Sequence, residues 1–207
     1  MKLGFIGTGN MAGAIMGGII KKGIIPAEEI IGSDIMETGR NHVKELYGIQ
    51  VTADNKEVAE KADILVLSVK PQFYAETIQE IRESVREDQM VITIAPGKTL
   101  AWLEEQFGKP VRIVRTMPNT PALVGEGMTA ACPNQYVTEN SMNNYRSFAH
   151  GVDKDFGQDP TGELRSAIYD SEDATDSYKA GIIISYDSRG IPSIRSSWGM
   201  DLTDSDV

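Results

Sequence analysis

Short apolar runs alternate with stretches of helical periodicity through the first two-thirds of the chain. The run ILVLS at residues 64–68 is apolar at nearly every position, which is typical of a central strand buried on both faces. Predicted strands cover residues 2–6, 30–33, 50–52, 64–68, 90–95 and 111–115, and predicted helices cover residues 11–22, 38–47, 56–61, 72–85 and 99–107. This alternation with short connections predicts an α/β domain with a doubly wound, mostly parallel sheet.

After residue 134 the pattern weakens. One strand is predicted at 181–186 and two helical turns at 162–169, while acidic stretches at 170–176 and 201–206 are expected to be solvated or disordered. The net charge is −3 over residues 1–134 and −7 over 135–207, and 11 of the 14 serines lie in the second part. We therefore expect a domain at 1–134, followed by a divergent, acidic, serine-rich segment of uncertain fold at 135–207.

The overall balance of charges excludes some partners. The chain has 207 residues, with 30 acidic and 20 basic side chains, so a nucleic-acid partner is not expected. The lone cysteine, Cys132, cannot form an internal disulfide, and no long apolar run predicts a membrane span. We expect a cytoplasmic protein with no metal site.

A glycine-rich motif follows the first predicted strand. Gly7, Gly9 and Ala12 form the pattern G-x-G-x-x-A, which allows a sharp turn, close approach of the backbone to a pyrophosphate, and tight packing of the next helix. Because the motif ends a strand and opens a helix, it predicts a Rossmann-type fold that binds a dinucleotide.

The end of the second predicted strand bears on the choice of cofactor. Asp34 could accept hydrogen bonds from the adenosine ribose and would repel a 2′-phosphate, which favours NAD(H). Ser33 and Arg40 could instead hold the 2′-phosphate of NADP(H). The residues leave NAD and NADP as open alternatives.

Two further segments are predicted at carboxyl ends of strands, where open α/β sheets bind ligands. Pro71 favours an extended backbone before it, which could hold Lys70 over the cleft, although a solvated surface lysine is the simpler interpretation. The small residues Ala95 and Gly97 leave room for a nicotinamide ring, although an ordinary turn has the same composition.

Three motifs in order resemble the cofactor domain of pyrroline-5-carboxylate reductase: GFIGTGNM at residues 4–11, SVKPQ at 68–72, and RTMPNTPA at 115–122 leading into GEG at 125–127. The resemblance covers residues 1 to about 134. It implies that the loop at 117–121 borders the nicotinamide and that the cofactor is contacted by Gly7, Thr8, Gly9, Asn10, Met11, Ala12, Asp34, Asn55, Ser68, Val69, Lys70, Pro71, Ala95 and Gly97.

The resemblance implies NAD(P)H-dependent reduction of a cyclic imino acid, 1-pyrroline-5-carboxylate, to L-proline. The family's helical domain, which pairs two subunits and binds substrate, is not recognisable in residues 140–207, so the catalytic residues are unknown and a homo-oligomer is an open expectation. That segment fits a frame-shifted translation, a fusion or a divergent extension. The alternatives are an inactive or regulatory NAD(P)-binding module and a related β-hydroxyacid dehydrogenase or imine reductase.

Overall fold

The structure is a computed structural model that describes residues 2–118 and 129–138, together with two strands at 182–186 and 192–196. Seven strands form one sheet in the order β3-β2-β1-β4-β5-β6-β7. The first six are parallel and β7 runs antiparallel to β6. The strands are β1 Leu3–Ile6, β2 Ile30–Ser33, β3 Gln50–Thr52, β4 Ile64–Leu67, β5 Met90–Thr93, β6 Arg112–Pro118 and β7 Thr129–Pro133. The predicted Rossmann-type sheet is confirmed.

Helices connect the parallel strands. The helices are α1 Asn10–Lys21, α2 Glu37–Tyr47, α3 Asn55–Lys61, α4 Tyr74–Ile81 and α5 Leu100–Phe107, with short 3₁₀ helices at Ala27–Glu29 and Pro71–Phe73. Glycines end two of these helices. Gly48 and Gly108 adopt the left-handed conformation, with φ values of 71° and 64°, and their N–H groups donate to the carbonyls of Lys44 and Glu104. The predicted stops at these two glycines are therefore confirmed.

The sheet is buried on both faces by two separate clusters of apolar side chains. Phe5, Val66 and Ile92 belong to the cluster that includes α1, whereas Leu65 and Val91 belong to the cluster that includes α4 and α5. Successive residues of a strand point to opposite faces, so a central strand covered on both sides needs apolar residues throughout. This explains the unbroken run in β4, whose four residues are all buried.

One predicted helix is shorter than expected. The expectation of a single helix over 72–85 was wrong, because the segment begins as the 3₁₀ helix Pro71–Phe73 and α4 ends at Ile81. Residues 82–84 form a turn, in which the Ser84 N–H donates to the Ile81 carbonyl at 2.8 Å in the tighter, 3₁₀-type pattern.

The sheet also extends beyond the sixth predicted strand. β6 continues to Pro118 rather than ending at residue 115, and Pro118 pairs with Thr129 of β7. The side chain of Asn134 ties the end of β7 back to the start of β6: its carbonyl oxygen accepts from Ile113 N–H at 3.1 Å, and its amide donates to the carbonyl of Val111 at 2.9 Å. The domain boundary near 134 stays a prediction.

Beyond residue 138, the described residues form an antiparallel strand pair. β8, Ile182–Tyr186, lies where a strand was predicted, and it pairs with β9, Pro192–Ser196, with Ile184 opposite Ile194. The two helical turns predicted at 162–169 lie outside the described residues.

Candidate functional site

Four predicted segments meet at the carboxyl edge of the sheet. They are the glycine-rich loop after β1, the turn after β2, residues 68–71 after β4, and residues 95–97 after β5. The chain passes from β1 to β2 on one side and places β4 on the other side of β1. Open α/β sheets bind ligands at such a reversal of strand order.

The first turn of the glycine-rich loop requires a glycine. Gly7 has a φ of +94°, and a Cβ at this position would lie 2.8 Å from the carbonyl carbon and oxygen of Ser68. The Ser68 hydroxyl lies within hydrogen-bond distance of two carbonyl oxygens, that of Gly7 at 2.7 Å and that of Ile6 at 3.0 Å. The segment after β4 therefore packs against the loop and fixes its path.

Gly9 lies at the opposite side of the loop, where there is open space. It is the N-cap residue of α1, it is exposed, and a Cβ there would meet no atom within 4 Å in the described part of the chain. No side chain caps α1 and no acidic residue lies in its first turn. The first N–H groups of a helix lack partners within the helix and carry partial positive charge, so this end fits a pyrophosphate.

The helix that offers these N–H groups packs closely on the sheet. Ala12 is buried in the cluster on that face, whereas Asn10 is exposed and Met11 is half-buried. The first turn of α1 therefore presents its backbone to the crevice while its small third motif residue faces the core.

Thr8 and Asp34 form the link between the glycine-rich loop and the turn after β2. Oδ2 of Asp34 accepts from the Thr8 N–H at 2.8 Å and from the Thr8 hydroxyl at 3.1 Å, and its Oδ1 accepts from the Met36 N–H at 2.9 Å. Thr8 is buried, so these hydrogen bonds hold the glycine-rich loop against the turn after β2. Both oxygens of the Asp34 carboxylate therefore already accept hydrogen bonds from neighbouring residues.

Arg40 also contacts the turn after β2. Its Nη1 donates to the carbonyl of Asp34 at 2.6 Å and to the carbonyl of Ile35 at 3.3 Å. The guanidinium is therefore held beside the position at which the adenosine ribose is expected.

Ser33 lies in a different place from the one that the sequence suggested. The expectation that Ser33 could hold a 2′-phosphate was wrong, because Ser33 is fully buried and its hydroxyl donates to Oδ1 of Asn55 at 2.7 Å. The Asn55 amide in turn donates to Oε2 of Glu80 at 2.7 Å. This chain of hydrogen bonds joins β2 to α3 and α4.

The segments after β4 and β5 have the backbone that the sequence predicts. Lys70 is extended, with φ −65° and ψ 148°, and exposed, and Pro71 begins the following 3₁₀ helix. Val69 packs against the core cluster on the α4 side. Ala95 is buried, whereas Gly97 is exposed, with a φ of +72° and no atom within 4 Å of an added Cβ.

Three polar residues at this edge were not among the predicted site residues, although Arg115 begins the third motif. Tyr74 is fully buried, and its hydroxyl donates to the Leu67 carbonyl at 2.5 Å. Thr93 and Arg115 pair in register on β5 and β6, and within the described residues Oγ1 of Thr93 and Nε of Arg115 are buried without a hydrogen-bond partner. The sequence pattern places Tyr74 on a buried helix face and Thr93 inside a strand. Residues with only a structural role show the same pattern, so the sequence could not single these two out.

Met117 and Pro118 are placed at the end of β6, where Met117 is exposed. Residues 119–121 of the same motif lie outside the described part of the chain. Within residues 2–118 and 129–138, no group of three or more His, Cys, Asp or Glu side chains is arranged to hold a metal ion. In that same part, no helix has the length and apolar character needed to cross a membrane.

Comparison with known proteins identifies relatives of the described domain. Residues 2–97 match the family described as NADP oxidoreductase, coenzyme F420-dependent. The pyrroline-5-carboxylate reductase of Methanosarcina acetivorans is 36% identical over 141 residues, which are 68% of this chain and 52% of that protein.

Solved structures agree with this relation. A pyrroline-5-carboxylate reductase from Coxiella burnetii superimposes with a TM-score of 0.70 at 35% identity, over 73% of this chain and 56% of that one. The Plasmodium falciparum pyrroline carboxylate reductase, solved with NADP bound, superimposes with a TM-score of 0.65 at 30% identity, over 74% of this chain and 55% of that one. The chain spans about half the length of the curated relatives it matches.

Proposed function

We propose that this chain, whose described N-terminal unit is a cofactor domain of the pyrroline-5-carboxylate reductase family, catalyses the NAD(P)H-dependent reduction of 1-pyrroline-5-carboxylate to L-proline. The observation that carries the proposal is the uncapped N-terminus of α1 beside Gly9, where a Cβ would meet no atom of the described residues within 4 Å. Because Gly9 carries no side chain, a phosphate group can approach the first N–H groups of α1 at this point.

The residues of the chain have separate roles in this proposal. Gly7, Gly9 and the first turn of α1 hold the pyrophosphate, and the segments that begin at Ser68 and Ala95 border the nicotinamide. When bound, the reduced nicotinamide supplies a hydride to the C=N carbon of the substrate, whose imine nitrogen carries a proton. The products are proline and the oxidised cofactor. The protein's part is to orient the ring and exclude water.

The test mixes the full chain with NADPH or NADH and 1-pyrroline-5-carboxylate. It follows the loss of nicotinamide absorbance, the nicotinamide fluorescence and the formation of proline. The proposal predicts that proline appears in a one-to-one ratio with oxidised cofactor. Cofactor binding without oxidation would reject the reductase, and absence of binding would reject any cofactor role.

A second candidate is an NAD(P)-binding module without reductase activity. It is favoured by the fact that the chain spans about half the length of its relatives, while residues 140–207 lack the family's substrate-binding motifs. The same experiment separates the two candidates, because the module predicts saturable binding with no proline formed.

For the cofactor itself, we propose that the site accepts NADP(H) and that Arg40 faces the 2′-phosphate. Support comes from the Asp34 carboxylate, which already accepts three hydrogen bonds from Thr8 and Met36, and from the guanidinium held next to it. Arginine is well suited to phosphate oxygens.

Two broader expectations stay predictions. A cytoplasmic location is tested by fractionating cells that produce the protein. A homo-oligomer is tested by light scattering of the purified full chain.

A further inference from the structure

The carboxyl ends of β4 and β5 separate at a hydrogen bond that is only partly formed. The Ile94 N–H lies 3.4 Å from the carbonyl of Leu67, longer than the usual distance of about 2.9 Å. At this point the two strands lead into the segments that start at Ser68 and Ala95, which we assign to the nicotinamide half of the site.

The hydroxyl of Tyr74 occupies this opening. It donates to the Leu67 carbonyl at 2.5 Å and accepts from the Ile94 N–H at 3.3 Å. Tyr74 is the first residue of α4, so the same side chain also closes the base of the loop that runs from residue 68 to residue 73. One hydroxyl thus joins the end of β4, the exit of β5 and the start of α4.

The contact is protected from solvent. Tyr74 is completely buried, and burial raises the pKa of its phenol far above the ordinary value, although the N–H groups of Ile94 and Ala95 oppose this effect. The hydroxyl therefore remains protonated and continues to donate at any physiological pH.

We propose that Tyr74 is a positioning residue whose hydroxyl sets the separation of the segments after β4 and β5, and thereby the fit of the nicotinamide ring. The inference rests on the proposed cofactor function. It assigns to Tyr74 no contact with cofactor or substrate. It predicts that the hydroxyl matters for the nicotinamide half of the ligand and not for the adenosine half, which lies over β1 and β2.

The test compares two variants of the full chain. Tyr74→Phe removes the hydroxyl and keeps the ring, while Ile81→Val shortens a buried side chain at the far end of α4 and serves as the control. Dissociation constants are measured for NADPH and for adenosine 2′,5′-bisphosphate, which lacks the nicotinamide half. The nicotinamide emission of bound NADPH reports the environment of the ring.

In Tyr74→Phe we expect NADPH to bind about 3- to 10-fold more weakly, as loss of one neutral hydrogen bond allows, with altered nicotinamide emission. We expect the affinity for adenosine 2′,5′-bisphosphate to stay unchanged, and Ile81→Val to leave both affinities unchanged. If Tyr74→Phe changes neither NADPH affinity nor emission while the wild type binds both ligands, the inference is overturned and the proposed function stands. A wild type that binds neither ligand overturns both.

A measurement on the wild type covers the case in which Tyr74→Phe does not fold. Amide hydrogen exchange at Ile94 should slow when NADPH binds and remain unchanged with adenosine 2′,5′-bisphosphate. Equal slowing by the two ligands, or none by either, would overturn the inference.

Discussion

Alanine substitution is expected to affect folding at the first motif glycine and cofactor binding at the second. At Gly7 an alanine Cβ would lie 2.8 Å from backbone atoms of Ser68, at a φ of +94°. The unfavourable backbone conformation costs about 1–2 kcal/mol, and overpacking against a backbone that cannot rotate away costs about 1–3 kcal/mol. Gly7→Ala should therefore lower the free energy of unfolding by about 2–5 kcal/mol.

At Gly9 the same substitution is compatible with folding. Its φ of −72° suits alanine, and none of the described residues has an atom within 4 Å of the added Cβ. Restriction of the unfolded chain stabilises by about 0.4–1 kcal/mol, and the poorer N-cap costs a similar amount, so we expect a net change within about 0.5 kcal/mol. The methyl group would instead occupy the space that we assign to the pyrophosphate.

The affinity for NADPH is the property that Gly9→Ala is expected to change. If Gly9→Ala displaces one charge-assisted hydrogen bond, worth about 1.5–3 kcal/mol, NADPH should bind about 10- to 150-fold more weakly. Urea denaturation measures the stability, and titration of nicotinamide fluorescence measures the affinity. A Gly9→Ala variant that folds normally and binds NADPH as tightly as the wild type would refute the assignment of this space.

Three other substitutions test separate parts of the site. Arg40→Gln should weaken NADPH binding by about tenfold, as expected for one lost charge-assisted contact, and change NADH binding little; equal losses for both cofactors would remove Arg40 from the 2′-phosphate site. Thr93→Val should raise the free energy of unfolding by about 1 kcal/mol in urea, because it removes a buried hydroxyl that has no partner among the described residues; a loss of stability would mean that the hydroxyl is satisfied. Since the pKa of Tyr74 is raised in the fold, the unfolded chain loses this proton first above about pH 10, and stability should then fall by about 1.4 kcal/mol per pH unit more steeply than in Tyr74→Phe; parallel curves would contradict this.

The sheet and the glycine-rich loop could be predicted because each rests on local pattern. The apolar run that becomes β4 and the motif from Gly7 to Ala12 carry their own periodicity and turn chemistry, and the structure places them as expected. The antiparallel strand β7 was missed because its sequence, TAACP, is rich in small residues that have little intrinsic preference for strands.

The details of the site depend on side chains that meet across the fold. Sequence could identify Asp34 as an acid at the end of β2, but its engagement with Thr8 follows from how β2 and the loop pack. Ser33 was misassigned for the same reason, since its partner Asn55 lies 22 residues away. The role of Tyr74 depends on two backbone groups of neighbouring strands, which no local pattern encodes.

We assign a reduced dinucleotide to the carboxyl edge of this sheet, with its pyrophosphate at the start of α1. Amide NMR of the full chain during titration with NADPH tests this placement. We expect saturable amide shifts that are largest at residues 9–12, with further shifts at Ile94 and Ala95. Saturable binding whose largest shifts lie away from the carboxyl edge, or no shifts at all, would contradict it.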